Sequence, residues 1–142
     1  RLSRVGFDNV LGHLAGGFAA WMQAGKEVDT VHRITADEFA AKFDKANSVV
    51  VDVRKESEYA AEHVEDAYSK PLAYINQWVR DLDPKQHFFL HCAGGYRSMI
   101  AASILQARGY RNFSEVEGGF GAISKTEVPK TDFVCQSKVM KA

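Results

Sequence analysis

Residues 88–109 read FFLHCAGGYRSMIAASILQARG, and this stretch predicts both the fold class and the reactive group. It begins with an apolar run, Phe88 to Leu90, which is typical of a buried strand. Residues 92–97 then predict a tight glycine-bearing loop. The apolar residues after Ser98 predict a helix that ends at Gly109. A cysteine is therefore expected at the end of a strand, directly before a helix.

Cys92 is the candidate nucleophile of this stretch. The first amides of a helix have no partner within the helix, and the helix dipole adds partial positive charge there. Gly94 and Gly95 lack a Cβ and can turn successive N–H groups inward to form an anion nest. Arg97 adds a fixed positive charge. A thiol in such surroundings loses its proton more easily than a free cysteine, and the thiolate is the reactive form.

The rest of the loop is expected to shape the same anion site. Ala93 lies between the cysteine and the glycine pair, and Tyr96 is expected either at the pocket mouth or as a merely exposed aromatic residue. Ser98 is interpreted as a helix-start hydroxyl that can touch the loop. The alternative, a buried and inert cysteine, is common in proteins. The joint occurrence of the cysteine, the glycine pair and the arginine favours the catalytic interpretation.

Composition excludes several classes of function. The 142 residues are 46% hydrophobic and 25% charged, as in an ordinary globular domain. The formal net charge of zero argues against a nucleic-acid partner, and no apolar run approaches the roughly 20 residues of a membrane helix. Cys92 and Cys135 are too few for a disulfide framework, which favours a reducing, cytoplasmic setting. The five histidines show no metal-ligand spacing, so no metal is expected.

Strands alternate with helices along the chain, which predicts an α/β domain with a mostly parallel sheet. The strands are predicted at residues 31–34, 48–53, 67–69, 88–90 and 113–116. The helices are predicted at residues 37–43, 58–62, 72–82, 99–108 and 119–124, with Thr35 and Ser57 as N-caps of the first two. Ligands bind beyond the carboxyl ends of such strands, so Asp52 and Arg54 are expected near Cys92.

The two ends of the chain predict a partial internal repeat. Residues 4–21 read RVGFDNVLGHLAGGFAAW and residues 107–123 read ARGYRNFSEVEGGFGAI. Residues 1–29 are accordingly interpreted as the tail of an upstream copy of the unit, with a helix end at Arg1–Val5, a short strand at 9–11 and a helix at 16–24. A complete unit is predicted at 30–127, followed by a polar C-terminal tail at 128–142.

The segments VVDVRKESEYAAEHVEDA, HCAGGYRS and VEGGF together resemble the rhodanese (sulfurtransferase) family over about residues 31–125. The resemblance implies a five-stranded parallel sheet with helices on both faces. It also implies that Cys92 carries sulfur as a persulfide, that residues 93–97 cradle it, and that Asp52 and Arg54 support the site. Glu62 stands where the family usually has glycine.

The resemblance extends to what surrounds the domain. Half a rhodanese-like unit leading into a complete one is similar to the C-terminal part of bacterial fusions with a metallo-β-lactamase-fold persulfide dioxygenase. An upstream dioxygenase domain is therefore expected in a parent chain. The implied partners are small anionic sulfur donors and thiol, sulfite or cyanide acceptors. No cofactor is implied beyond the persulfide, and a homo-oligomer is one possibility.

Two other functions stay open on the sequence. A cysteine phosphatase also uses a Cys-loop-Arg arrangement. The six residues from Cys92 to Arg97 match the loop of the sulfur-transferring members of the rhodanese superfamily, whereas the members that act on phosphate have a loop one residue longer. A non-catalytic or sulfur-carrier module would serve a fused dioxygenase.

His91 should point to the opposite face from Cys92 and have a packing role. Cys135 is interpreted as an incidental thiol rather than a resolving one.

Overall fold

The computed structural model describes residues 9–135. The chain divides into two compact units, residues 1–30 and residues 31–142. The first unit contains helix α1, Gly17–Gln23, which begins after Gly16 in the left-handed conformation. The strand predicted at 9–11 is wrong, because residues 9–14 adopt no regular structure and an isolated extended segment has no ladder to hold it. The helix end predicted at Arg1–Val5 lies outside the described residues.

The second unit is built, as predicted, on a five-stranded parallel sheet, and its strands lie in the order β1-β5-β4-β2-β3. Its strands are β1 Arg33–Ile34, β2 Val49–Asp52, β3 Tyr68–Ser69, β4 Phe88–His91 and β5 Phe113–Val116. The β-branched run of β2 and the apolar start of β4 pair at the centre, where both faces of the sheet are covered. The carboxyl ends of β2, β4 and β5 therefore lie at one edge of the sheet.

Five helices cover this sheet: α2 Ala36–Lys42, α3 Glu56–Ala61, α4 Ile75–Trp78, α5 Tyr96–Ala107 and α6 Gly119–Ile123. Thr35 caps α2 with the predicted capping box. Ser57 does not cap α3, because the helix starts at Glu56 and Lys55 occupies the N-cap position. The continuous helix predicted at 72–82 is also wrong. Single 3₁₀ turns at Leu72–Tyr74 and Val79–Asp81 flank the one turn of α4.

The irregular path around α4 has a local cause. The indole Nε1 of Trp78 donates a hydrogen bond of 2.8 Å to the carbonyl of Pro71, which ties the end of α4 back to the residue before the first 3₁₀ turn. Ile75, Trp78 and Val79 are all buried. Their spacing of three and four residues is compatible with an α-helix and also with a succession of short turns, so the pattern alone does not separate the two.

The two faces of the sheet carry separate hydrophobic cores. Leu90 packs with Ala101 and Leu105 of α5 on one face. Phe89 packs with α2 and α6 on the other, where Phe39 lies 4.9 Å from it between ring centroids. The alternation along β4 thus assigns neighbouring residues to opposite cores. Helices accordingly lie on both faces, as predicted.

The segment after α6 returns along the edge of the domain. Val128 is buried, and the amide of Glu65 donates to the carbonyl of Pro129 at 3.0 Å. Val64 and Lys130 form an isolated antiparallel bridge, and the amide of Val134 donates to the carbonyl of Ala61. The segment predicted as a tail is therefore attached to the domain as far as residue 134. Within residues 9–135, no helix has the length and hydropathy to cross a membrane.

Candidate active site

Cys92 lies directly after β4 and is only 1% exposed. Its Sγ accepts a hydrogen bond of 3.2 Å from the amide of Gly95. Gly95 has a φ of 103°, a value that glycine adopts far more readily than other residues, and it immediately precedes the first residue of α5. The predicted arrangement of strand end, glycine turn and helix start is confirmed.

The surroundings of Cys92 favour its thiolate. Burial raises the pKa of the thiol. The Ser98 hydroxyl lowers it when its hydrogen points to the sulfur, and the backbone amides of Ser98, Gly94 and Gly95 lower it as well. The hydrogen bonds outweigh the burial, so the pKa lies below the ordinary cysteine value. The loop amides therefore favour a negative charge on the Cys92 sulfur.

The loop is fixed from the other side by the start of α6. The amide of Phe120 donates to the carbonyl of Cys92 at 2.7 Å, and the amide of Gly121 donates to the carbonyl of Ala93 at 3.0 Å. A Cβ added at Gly119 would lie 2.3 Å from the Cys92 carbonyl oxygen. The second glycine pair thus permits a close approach of two backbones that any side chain would prevent.

Ser98 lies in the first turn of α5 and is fully buried. Its Oγ is 3.4 Å from the Sγ of Cys92, 3.0 Å from the carbonyl oxygen of Gly95 and 2.6 Å from the Oε1 of Glu115. Ser98 thus lies at the helix start, as predicted, and its hydroxyl also contacts the Cys92 sulfur directly.

Arg97 does not supply the free positive charge expected of it. Its guanidinium forms two hydrogen bonds with the carboxylate of Glu58 in α3, at 2.6 and 2.8 Å. The pKa of Glu58 is lowered to about 2, chiefly by the hydrogen bond from Arg97. Arg97 therefore clamps the start of α5 to α3, and its charge is largely compensated at the pocket.

Asp52 and Arg54 form a buried ion pair at the end of β2, with Nη2 2.6 Å from Oδ2. Arg54 also donates to the carbonyl of Glu62 at 2.8 Å, and its guanidinium carbon lies 4.1 Å from the ring centroid of Phe120. The carboxylate of Asp52 accepts hydrogen bonds from the amide and the side chain of Arg54. The pair therefore supports the walls of the site, and Glu62 takes an extended backbone that does not require glycine.

A shallow pocket of about 260 Å³ opens beside the loop. Its apolar lining residues are Val53, Pro71, Leu72 and Ala73, and its basic ones are Arg54, Lys55 and Arg97. Tyr96 is highly exposed at the loop. The pocket reaches the loop at Arg97, and its exposed lining is mainly apolar.

His91 lies on the opposite face from Cys92, as predicted. It is buried against Phe120, and its Nδ1 is 3.2 Å from the carbonyl oxygen of Cys92. Burial holds the pKa of His91 below its usual value, so the ring is neutral and has a packing role. Among the described residues, no three or more His, Cys, Asp or Glu side chains form a group suited to a metal.

The model of the rhodanese-like domain family matches residues 35–126. The chain belongs to this family. A rhodanese-like domain protein of Staphylococcus aureus has a similar structure, with a TM-score of 0.63, 28% sequence identity, and coverage of 69% of this chain and 96% of that one.

Two curated relatives share the rhodanese-like region. An uncharacterized protein of Synechocystis is 32% identical over 81 residues, which cover 57% of this chain and 45% of the relative. The tRNA uridine(34) hydroxylase of Yersinia enterocolitica is 30% identical over 94 residues, which cover 62% of this chain and 27% of the relative. The chain therefore spans less than half the length of the curated relatives that it matches.

Two buried or half-buried carboxylates of this rhodanese-like domain were missed by sequence reasoning. Glu115, in the middle of β5, is fully buried and contacts both Ser98 and Arg33. Glu58 pairs with Arg97. A charged residue within the short apolar strand FSEV was the available signal for Glu115, because a carboxylate is rarely buried without a partner.

Proposed function

We propose that this chain is a sulfurtransferase that moves sulfane sulfur through a persulfide on Cys92. The observation that carries the proposal is the environment of the Cys92 sulfur. A thiol with a lowered pKa lies inside a six-residue loop and accepts a hydrogen bond from the Gly95 amide. Such a site activates a nucleophile and then holds the anion that the reaction produces.

In the first half-reaction, the Cys92 thiolate attacks the outer sulfur of the donor. With thiosulfate, the S–S bond of the donor breaks, sulfite leaves with the bonding pair, and Cys92 becomes a persulfide anion. With a low-molecular-weight persulfide such as glutathione persulfide, the leaving group is the thiol. Arg54 and Arg97 at the neighbouring pocket are paired with Asp52 and Glu58, so the donor is held chiefly by the loop amides that face the Cys92 sulfur.

In the second half-reaction, a thiophilic acceptor attacks the terminal sulfur, and Cys92 leaves as a thiolate. Cyanide, sulfite and thiols are suitable acceptors. The amides that stabilise the thiolate also stabilise the leaving sulfur, so one arrangement supports both halves of a ping-pong cycle. The cycle needs no cofactor beyond the persulfide itself, and a reducing compartment such as the cytoplasm keeps Cys92 available.

Intact-protein mass spectrometry tests this proposal. The chain is incubated without oxygen with thiosulfate or with glutathione persulfide, and the expected product carries the mass of one additional sulfur atom. Cys92→Ser should not gain this mass, whereas Cys135→Ser should gain it fully. Addition of cyanide should then remove the extra sulfur and release thiocyanate.

The comparison of donors identifies the physiological class. Faster loading by thiosulfate assigns a thiosulfate sulfurtransferase, and faster loading by glutathione persulfide assigns a persulfide sulfurtransferase. A wild-type chain that remains unmodified with both donors contradicts the proposal. Hydrolysis of an aryl phosphate by such an unloaded chain would instead support a cysteine phosphatase.

A further inference from the structure

The Ser98 hydroxyl connects the reactive sulfur to a buried ion pair. Its single hydrogen has three acceptors within reach, namely the Glu115 carboxylate at 2.6 Å, the Gly95 carbonyl at 3.0 Å and the Cys92 sulfur at 3.4 Å. A hydroxyl donates to one of them at a time. The bond to the carboxylate is the shortest and is assisted by charge, which makes such bonds roughly twice as strong as neutral ones.

Arg33 fixes the carboxylate that competes for this hydrogen. The Nε of Arg33 donates to Oε2 of Glu115 at 2.8 Å, which leaves Oε1 for Ser98. Both groups also lie against the loop, because a Cβ added at Gly95 would be 3.8 Å from Oε1 of Glu115 and 3.9 Å from Nη2 of Arg33. Arg33 of β1, Glu115 of β5 and Ser98 of α5 thus form a continuous chain of contacts that ends at the Cys92 sulfur.

We propose that Glu115, held by Arg33, is a positioning residue that directs the Ser98 hydrogen away from Cys92 and so controls how readily the thiol ionises. With its hydrogen on Glu115, Ser98 Oγ presents lone pairs to the sulfur and accepts from the S–H group. The loop amides favour the thiolate, and Glu115 opposes them. This inference concerns the nucleophile of the proposed sulfurtransferase and rests on that function.

The opposite effects of the loop amides and Glu115 on the acidity of Cys92 suit a two-step transfer of sulfur. An attacking thiol is most effective when its pKa is near the ambient pH, because the intrinsic nucleophilicity of a thiolate falls as its pKa falls. A loop that only lowered the pKa would yield an abundant but sluggish thiolate. Glu115 and Ser98 limit that effect without placing another charge in the pocket.

Other charged or titratable groups surround the loop, but they act differently. They lie in β2, α3, β4 and α5 or just after β2, and they are Asp52, Arg54, Glu58, His91 and Arg97. Asp52 pairs with Arg54, Glu58 pairs with Arg97, and His91 is buried and neutral. Of the carboxylates among these groups and Glu115, only Glu115 shares a hydrogen-bond partner with the sulfur in the described residues.

Glu115→Gln tests the proposal because Arg33 orients the new side chain. Arginine only donates, so the carbonyl oxygen of the glutamine must face Arg33 and its NH₂ group must face Ser98. Ser98 then accepts from that NH₂ group, and its own hydrogen is left to the Gly95 carbonyl or the Cys92 sulfur. The thiolate is the stronger acceptor of the two because it carries a charge, so the change favours the ionised form of Cys92. The apparent pKa of Cys92, followed by thiolate absorbance against pH in a Cys135→Ser background, should fall by about one unit, a tenfold increase in acidity.

A double-mutant cycle separates this effect from the loss of a negative charge. If Ser98 transmits the effect, Glu115→Gln in a Ser98→Ala background should shift the titration by less than a third of that amount. Equal shifts in the two backgrounds, or no shift in the first, would overturn the proposal. Because thiolate absorbance needs no sulfur donor, this result is independent of whether Cys92 accepts sulfur. Circular dichroism on each variant confirms that it is folded before its titration is compared with that of the wild-type chain.

Discussion

The chain contains the same glycine-pair turn twice, and the two copies differ in burial. Gly16 and Gly17 have φ values of 78° and 58°, and Gly118 and Gly119 have values of 73° and 55°. A short helix follows each pair. In the second copy, Phe120 is 8% exposed and Gly119 touches the Cys92 loop, whereas in the first copy Phe18 is 66% exposed and the space around Gly17 is open in the described chain.

The comparison shows that the turn and the burial have different causes. Two adjacent glycines in a left-handed conformation are a local property, because only residues without a Cβ adopt it without strain. The burial of the following helix depends on whether a sheet and a cysteine loop lie opposite. The interpretation of residues 1–29 as the tail of an upstream repeat stays a prediction, and the matching backbone angles support it.

Gly119→Ala should have the largest effect on stability, because this glycine lies where the second turn meets the Cys92 loop. The left-handed conformation costs alanine about 1–2 kcal/mol, and the contact of its Cβ with the Cys92 carbonyl costs about 1–3 kcal/mol more. A urea unfolding experiment should therefore show about 3 kcal/mol less stability, and persulfide formation should be lost. Gly17→Ala is the matched control, because it carries the conformational cost without the clash. Equal unfolding midpoints of the sheet unit in the two variants would contradict this account.

Phe120→Leu should have a smaller effect. Phe120 packs against Arg54 and His91, so the change removes a cation–π contact and leaves an imperfect fit in the core. The expected loss is about 1–2 kcal/mol in the free energy of unfolding. Phe18→Leu, at the equivalent position of the exposed copy, should change stability by less than about 0.5 kcal/mol. The interpretation fails if both substitutions cost the same.

The two tryptophans should report the same contrast through their fluorescence in the folded protein. Trp21 follows the first glycine pair and is 42% exposed, whereas Trp78 is buried in the core of the sheet unit. Acrylamide should therefore quench the fluorescence of Trp78→Phe, which retains only Trp21, several times more steeply than that of Trp21→Phe. Similar quenching in both variants would show that Trp21 is covered in solution.

Periodicity and turn chemistry predicted much of this fold, and their failures have identifiable causes. The β-branched run of β2 and the capping box at Thr35 were predicted correctly because each signal lies within a few residues. The prediction of a continuous helix at 72–82 failed because the side chain of Trp78 bonds to the carbonyl of Pro71, seven residues earlier, and this bond accompanies short turns that share the spacing of a helix. The strand at 9–11 failed because an extended segment requires a neighbouring strand that local sequence does not supply.

The sequence by itself determined the reactive loop: a cysteine at a strand end, glycines that permit the turn, and helix amides that favour an anion. Only the tertiary structure decided how the charges around that loop are arranged. Glu58 meets Arg97 across 39 residues, Glu115 meets Ser98 across 17, and Arg33 meets Glu115 across 82. Such pairs depend on the spatial order of the strands in the sheet, since that order decides which side chains lie together at its buried edge.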